Sequence, residues 1–325
     1  MTKTQGPIRS MKAAGLTAAL VALSASGAAA ATCPEGFPDG PIDFWVGYDA
    51  GGGTDLIARQ IAAELEAAQG WSIAVTNIPG ASSSVMMARL SGADADGMTI
   101  GLTSTGSISK VPNRNPDSPY TITDFSFLGT AQQTPIGIYT LADNDFDTYE
   151  EMIEHARESG NFTIASASVD SNIFFDAIAE REGVKITLVP AQGSTGSLQQ
   201  ILGGHVDAAL MGTTAIEHMA TGRLTGLFTL GDRRTLWDPD TPTTAELGYD
   251  FVGAVSYVLI AAPDGIEEPV LTCLEEAIDE AINSEGFGEL MVQFENEAYN
   301  LGPEETTALL EREFAVFREY FGNGE

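Results

Sequence analysis

The chain has 325 residues and is strongly acidic: 46 Asp and Glu stand against 15 Lys and Arg, for a formal net charge of −31. Such a surface repels nucleic acid and anionic lipid, which excludes both as partners. Any site for an anion must then be local, built from backbone dipoles and a few hydroxyls. Lysine is scarce (Lys3, Lys12, Lys110 and Lys185), as expected where high salt screens the excess acid, and the surplus points to a marine or salt-rich habitat.

Residues 1–30 read as a secretory signal peptide. Lys3, Arg9 and Lys12 form a basic start, an apolar stretch runs from Ala13 to about Leu23, and Ala28-Ala29-Ala30 offers a small-residue cleavage pattern. The apolar stretch is shorter than the roughly 20 residues that span a bilayer, and no later segment is long enough, so no membrane insertion is expected. Thr32 before Cys33 is a poor lipidation context, which favours a freely soluble exported protein with cleavage near Ala30. The remaining length suffices for two domains. Cys33 and Cys273 allow one disulfide between the N-terminal segment and a late helix; two free thiols are the other reading.

The elements alternate short apolar runs with helical patterns, which predicts α/β architecture. A strand at Ile42–Val46 runs into Tyr48-Asp49-Ala50-Gly51-Gly52-Gly53-Thr54-Asp55, and a helix follows from about Thr54 to Gln69 with Gly70 as its stop. Strand, glycine turn and helix N-terminus together suit a small anion, a carboxylate above all. If the ligand also carries an amine or hydroxyl, Asp49 and Asp55 become acceptors. Otherwise Asp55 caps or orients the loop, and Arg59 holds its domain together. A strand near Ile73–Asn77 leads through Pro79-Gly80-Ala81-Ser82-Ser83-Ser84 to a helix containing Val85 to Leu90, where the serines either cap the helix or bind ligand. The turn Asp94-Ala95-Asp96-Gly97 lacks the further carboxylates of a calcium loop and feeds a strand, Met98–Thr103. The loops after these strands are expected to converge at one edge of a parallel sheet.

Phe127–Leu141 is a further apolar strand pattern, expected to cross to a second domain. There a helix, Thr148–Ser159, and a strand, Phe162–Ala165, precede the loop 166–172 and a helix to Glu182. A strand at Ile186–Val189 opens into 190–197 ahead of a helix at Leu198–Leu202. A strand at Val206–Met211 follows, and Thr213-Thr214 start the next helix. A surface loop with a short helix covers Arg233 to Glu246. A long strand, Phe251–Ala261, returns the chain, and helices near Glu267–Asn283, Phe287–Tyr299 and Pro303–Phe321 end it. The expected domains are 31–138 with about 251–325, and 139–250, around a hinged cleft.

Other chemistries fit poorly. A P-loop needs Lys-Ser/Thr after the glycines, where Thr54-Asp55 stand. His155, His205 and His218 read as surface or supporting residues, not as a catalytic base, and no metal or cofactor set is apparent.

Several motifs in order carry a resemblance: Ala-Gly-Gly-Gly-Thr-Asp at 50–55, Pro-Gly-Ala at 79–81, Asp96-Gly97-Met98-Thr99-Ile100, Val189-Pro190 with Gly193-Ser194, Leu202-Gly203-Gly204-His205-Val206-Asp207, Pro242-Thr243 with Glu246-Leu247-Gly248, and Ala261-Ala262-Pro263. With them the chain resembles the Bug family, the periplasmic solute receptors of tripartite tricarboxylate transporters, over nearly all of its length after the signal segment. The resemblance implies a two-domain type II periplasmic-binding-protein fold and a non-enzymatic receptor. Such a receptor closes on a small organic carboxylate, works as a monomer without cofactor, and delivers its ligand to inner-membrane transporter subunits. It implies ligand contacts from Tyr48, Asp49, Ala50, Gly51, Gly52, Gly53, Thr54 and Asp55, from Ala81, Ser82, Ser83 and Ser84, and from Ser104, Thr105 and Ser107. On the other side it implies Ser168, Asn172, Ser194 and Thr195, with Gly212 and Thr213 nearby. Ser82-Ser83-Ser84 and Ala191-Gln192 depart from the family's usual glycine, aromatic and basic residues, in the direction of a larger or less charged acid. The alternatives are a partner that presents its ligand to a membrane sensor kinase and, less well supported, an enzyme on the same fold.

Overall fold

The computed structural model describes residues 1–2, 31–167 and 171–322, so all but the first two residues of the expected signal segment lie outside them. In the first half, β1 (Ile42–Val46) places Ile42, Phe44 and Val46 inward with no exposure. The helix α1 (Gly53–Gln69) lays Ile57, Ile61 and Leu65 on that face, the i, i+4, i+8 stripe of an amphipathic helix. It stops at Gly70, whose φ of 71° is the left-handed conformation glycine adopts freely. β2 (Ile73–Asn77), α2 (Ser84–Leu90), β3 (Thr99–Ser104), α3 (Thr105–Ser109), α4 (Val111–Arg114) and β4 (Phe125–Thr134) follow.

The second half holds β5 (Gly137–Leu141), α5 (Tyr149–Ser159), β6 (Phe162–Ser166), α6 (Asn172–Glu182), β7 (Ile186–Pro190), α7 (Gly193–Leu202), β8 (Ala208–Met211), α8 (Ile216–Ala220) and β9 (Leu224–Thr229). β10 (Ser256–Pro263) returns to the first sheet, and α9 (Glu268–Ile282), α10 (Glu285–Gln293) and α11 (Gly302–Gly322) complete the chain. Cys33 is bonded to Cys273 on α9, so the expected disulfide is formed.

The two sheets share one plan. Their strand orders are β2-β1-β3-β10-β4 and β7-β6-β8-β5-β9. In each, the first three strands pair in parallel, and one strand from elsewhere in the chain inserts antiparallel: β10 between β3 and β4, and β5 between β8 and β9. The sheets are therefore mixed, not parallel as expected. β10 and β5 are the strands that enter each sheet from the other half, and so they run against its local crossovers.

Other expectations shift at the boundaries. The pattern at 127–141 is two strands in two sheets, broken at Pro135, which has no N–H to continue a ladder. α7 begins at Gly193 and not Leu198: Gly193 takes φ 68°, and Gly196 N–H already bonds to the Gln192 carbonyl at 3.1 Å. No helix forms over 239–246, where turns are closed by reciprocal bonds between Thr243 and Glu246. β9 is unforeseen because Gly226 interrupts its apolar run. That glycine is required, since a Cβ there would strike Asp238 and Thr241. The returning strand starts at Ser256, and the penultimate helix ends at Gln293.

Candidate functional site

The glycine loop after β1 is held from behind by Asp55. Its Oδ2 accepts the Gly51 N–H at 2.8 Å and Arg59 Nε at 3.0 Å, and its Oδ1 accepts Asn77 Nδ2 at 2.9 Å. Asn77 Nδ2 also reaches the Tyr48 carbonyl at 3.0 Å, and Arg59 reaches Asn77 Oδ1 at 3.3 Å. Burial pushes the Asp55 pKa up, but Arg59, the Gly51 N–H and Asn77 outweigh it and hold the carboxyl below its ordinary value. Both Asp55 oxygens are thus committed to the fold of the loop, while the first N–H groups of α1 lack intrahelical acceptors.

The hydroxyl-rich loops join into one network. Tyr48 O–H donates to Ser104 Oγ at 2.7 Å, and Ser104 Oγ lies 3.3 Å from Ser107 Oγ. Thr103 Oγ1 lies 2.8 Å from both Ser83 Oγ and Ser107 Oγ, and Thr105 Oγ1 accepts the Tyr257 N–H at 3.3 Å. Ser83, Thr105 and Ser107 are buried, so these hydroxyls brace the loops, whereas Ala81 and Ser82 are exposed. Ala81, Ser82 and Ser83 take three consecutive positive φ values of 45°, 54° and 71°, a left-handed turn that costs roughly 1–2 kcal/mol per residue. Gly47 accommodates it: a Cβ there would collide with Ser83 Oγ.

Across the molecule, α7 presents its N-terminal turn at Ser194. Gly212 lies close under the crossing strand, where a Cβ would come within 3.0 Å of the Pro135 carbonyl. Gly53, Ser194, Gly212 and Thr213 line one cavity of about 820 Å³, within the usual range for small-molecule sites. Gln132, Thr134, Pro135 and Ile136 from the crossing, Thr214, Ile216 and Glu217 at the start of α8, and Gln293, Phe294, Glu295 and Asn296 after α10 complete its walls. Of the 48–55 loop only Gly53 is among the lining residues, and the loops at 81–84 and 104–107, joined to it through the Tyr48–Ser104 bond, do not line this cavity. Thr195 and Asn172 also do not, and Ser168 lies outside the described residues. The crossing residues Gln132, Thr134, Pro135 and Ile136 are not among the expected ligand contacts, although they fall within 127–141, where the chain is expected to cross between the halves. The 293–296 segment had no such signal. Among the described residues no group of three or more His, Cys, Asp and Glu could hold a metal ion, and no helix is long and apolar enough to cross a membrane.

Residues 57–318 match the model of the tripartite tricarboxylate transporter family receptor. The chain belongs to this receptor family. The receptor is 27% identical over 268 residues to the protein BugT of Bordetella pertussis, covering 81% of this chain and 82% of that one. It is 26% identical over 295 residues to a protein encoded in the gbd 5′ region of Cupriavidus necator, covering 90% of each. Among solved structures it is similar to a TctC solute-binding protein from Polaromonas, with a TM-score of 0.81, 23% identity, and coverage of 88% of this chain and 99% of that one. It is also similar to MatC from Rhodopseudomonas palustris with bound malate, with a TM-score of 0.62, 22% identity, and coverage of 88% and 100%. An R. palustris protein with adipate has a TM-score of 0.65 at 22% identity over 87% of this chain and 96% of that one. Family and fold are those of binding receptors.

Proposed function

We propose that the receptor binds a small organic carboxylate in the cavity between its halves and presents it to the membrane subunits of a tripartite tricarboxylate-type transporter. The observation that carries this is the convergence of Gly53, at the N-terminus of α1, and Ser194, at the N-terminus of α7, on one cavity. Unpaired N–H groups and the positive ends of two helix dipoles suit a carboxylate without a lysine or arginine. The malate and adipate held by proteins of the same fold support that ligand class. The domains are residues 31–138 with about 251–325, and 139–250; 135–136 and the return before β10 act as the hinge. A ligand favours the closed state only by contacts absent from the open one. The working protein is a periplasmic monomer, cut near Ala30, that turns nothing over.

A thermal-shift screen at low and high salt tests this, using mono-, di- and tricarboxylates, aromatic acids and amino acids. A ligand of the native state at 100 times its Kd adds about 2.7 kcal/mol, so the melting temperature must rise with concentration. Calorimetry of a hit should show binding with no continuing heat of turnover. Silence across all acids at both salts would overturn the carboxylate assignment.

A further inference from the structure

The charges around the cleft are one-sided. The ionisable residues lining the 820 Å³ cavity are Glu217 and Glu295, both exposed, and its lining holds no Lys, Arg or His among the described residues. Two arginines border an adjoining pocket that shares Glu295, but both are engaged. Arg233 Nη2 lies 2.6 Å from Glu297 Oε2, and its guanidinium sits 4.2 Å from the Tyr299 ring centroid. Arg234 grips both oxygens of Glu246 at 3.0–3.2 Å and donates to the Pro239 and Asp240 carbonyls. The positive potential open to an acid is therefore that of the α1 and α7 N-termini, about half an elementary charge each.

One carboxylate matches that supply. A second would find no cation and would meet two glutamates, in a protein whose overall charge is already strongly negative. A like charge brought near these exposed anions is repelled, the more so the lower the salt. A nitrogen cation at the same place is attracted instead. We propose that the ligand is a monocarboxylate that also carries a cationic nitrogen, with its carboxylate toward Gly53 and Ser194 and its nitrogen toward Glu217 and Glu295. This rests on the carboxylate reading of the cleft and names the charge class within it.

Four acids of equal chain length test the assignment by calorimetry on the purified protein: valerate, 2-aminovalerate, 5-aminovalerate and glutarate. The expected order puts one of the two amino acids at least tenfold tighter than valerate, and glutarate weakest. Glu217→Gln and Glu295→Gln, singly and together, should erode that preference. Solvent-exposed pairs carry up to about fivefold each, so the double variant should erase most of a tenfold preference. The same variants should tighten glutarate. Both positions are exposed, so the melting temperature of the unliganded variants should match the parent. The preference should also shrink in 1 M NaCl, where the Debye length falls to about 3 Å. Glutarate binding tightest, amino acids no better than valerate, or a preference that survives the double substitution would overturn the proposal and leave the carboxylate site standing. Silence of all four acids would overturn the carboxylate reading itself, and the proposal with it.

Discussion

Glu313 carries a carboxylate into the interior of the first half at 1% exposure. Its Oε2 accepts from Ser109 Oγ at 2.8 Å, and its Oε1 has no partner among the described residues. Burial pushes its pKa up to about 7, against the opposing pull of Ser109, Lys110 and Arg312. The folded state thus holds this proton more tightly than the unfolded chain, whose value is near 4.5. Stability is then fully present below about pH 4.5 and falls as pH rises toward 7, levelling above it. The accumulated cost by pH 8 is on the order of 3 kcal/mol. Glu313→Gln keeps an acceptor for Ser109 and never charges. Urea unfolding should find it on the order of 3 kcal/mol more stable than the parent at pH 8 and nearly equal at pH 4.5. An equal difference at both pH values would mean that packing, not charge, separates the two proteins. Asp55 is the contrasting buried carboxylate, and its role was only half legible. The spacing suggested that it orients the glycine loop, but Asn77, 22 residues away, completes the clamp, and no local pattern announces that contact.

Helices were legible where a hydrophobic stripe and a glycine stop coincide, as in α1 and α5, because periodicity and the left-handed stop act locally. Elements decided by tertiary contact were not: α7 gains its first turn from Gly193 in a glycine- and hydroxyl-rich run, and β9 exists because β5 offers it a ladder. The candidate site shows the same division. The glycine-rich loops before α1 and α7 could be read from their residues. The wall at 293–296 depends on α10 ending at Gln293 and the chain turning back through Glu295 at φ 52°. The disulfide belongs to this scale, because it fastens the segment before β1 to α9 across 240 residues of sequence. Closing so long a loop restricts the unfolded chain, and loss of a native disulfide costs about 2–5 kcal/mol. Cys33→Ala/Cys273→Ala should therefore unfold at lower urea. Neither cysteine lines the cavity, so the affinity for a carboxylate hit should be unchanged. A fall in affinity with stability intact would place the bridge in the binding mechanism.

At the scale of the whole molecule, the repeated sequence of strand, glycine-rich loop and helix made two similar halves legible. The antiparallel strand in each sheet was not, because it is fixed by which half the chain returns to. Charge is the global property the fold must carry. Outside residues 1–30 stand 12 basic residues against 46 acidic ones. Several of those bases are spent on local pairs: Arg59 with Asp55, Arg157 with Glu182, Arg233 with Glu297 and Arg234 with Glu246. Acids therefore far outnumber the bases that could pair with them, and self-repulsion opposes the compact state. Salt shortens the reach of that repulsion from about 10 Å at 0.1 M to about 3 Å at 1 M, while the exposed pairs it also weakens are worth little. The melting temperature should accordingly climb steadily between 0.05 and 1 M NaCl. KCl should do the same at equal ionic strength, because screening depends on charge and not on ion identity. A neutral osmolyte of matched osmolality should not reproduce the rise at the low-salt end. A melting temperature flat in NaCl would mean that the acids lie far enough apart for water alone to screen them, and the inferred salt-rich habitat would lose its physical support.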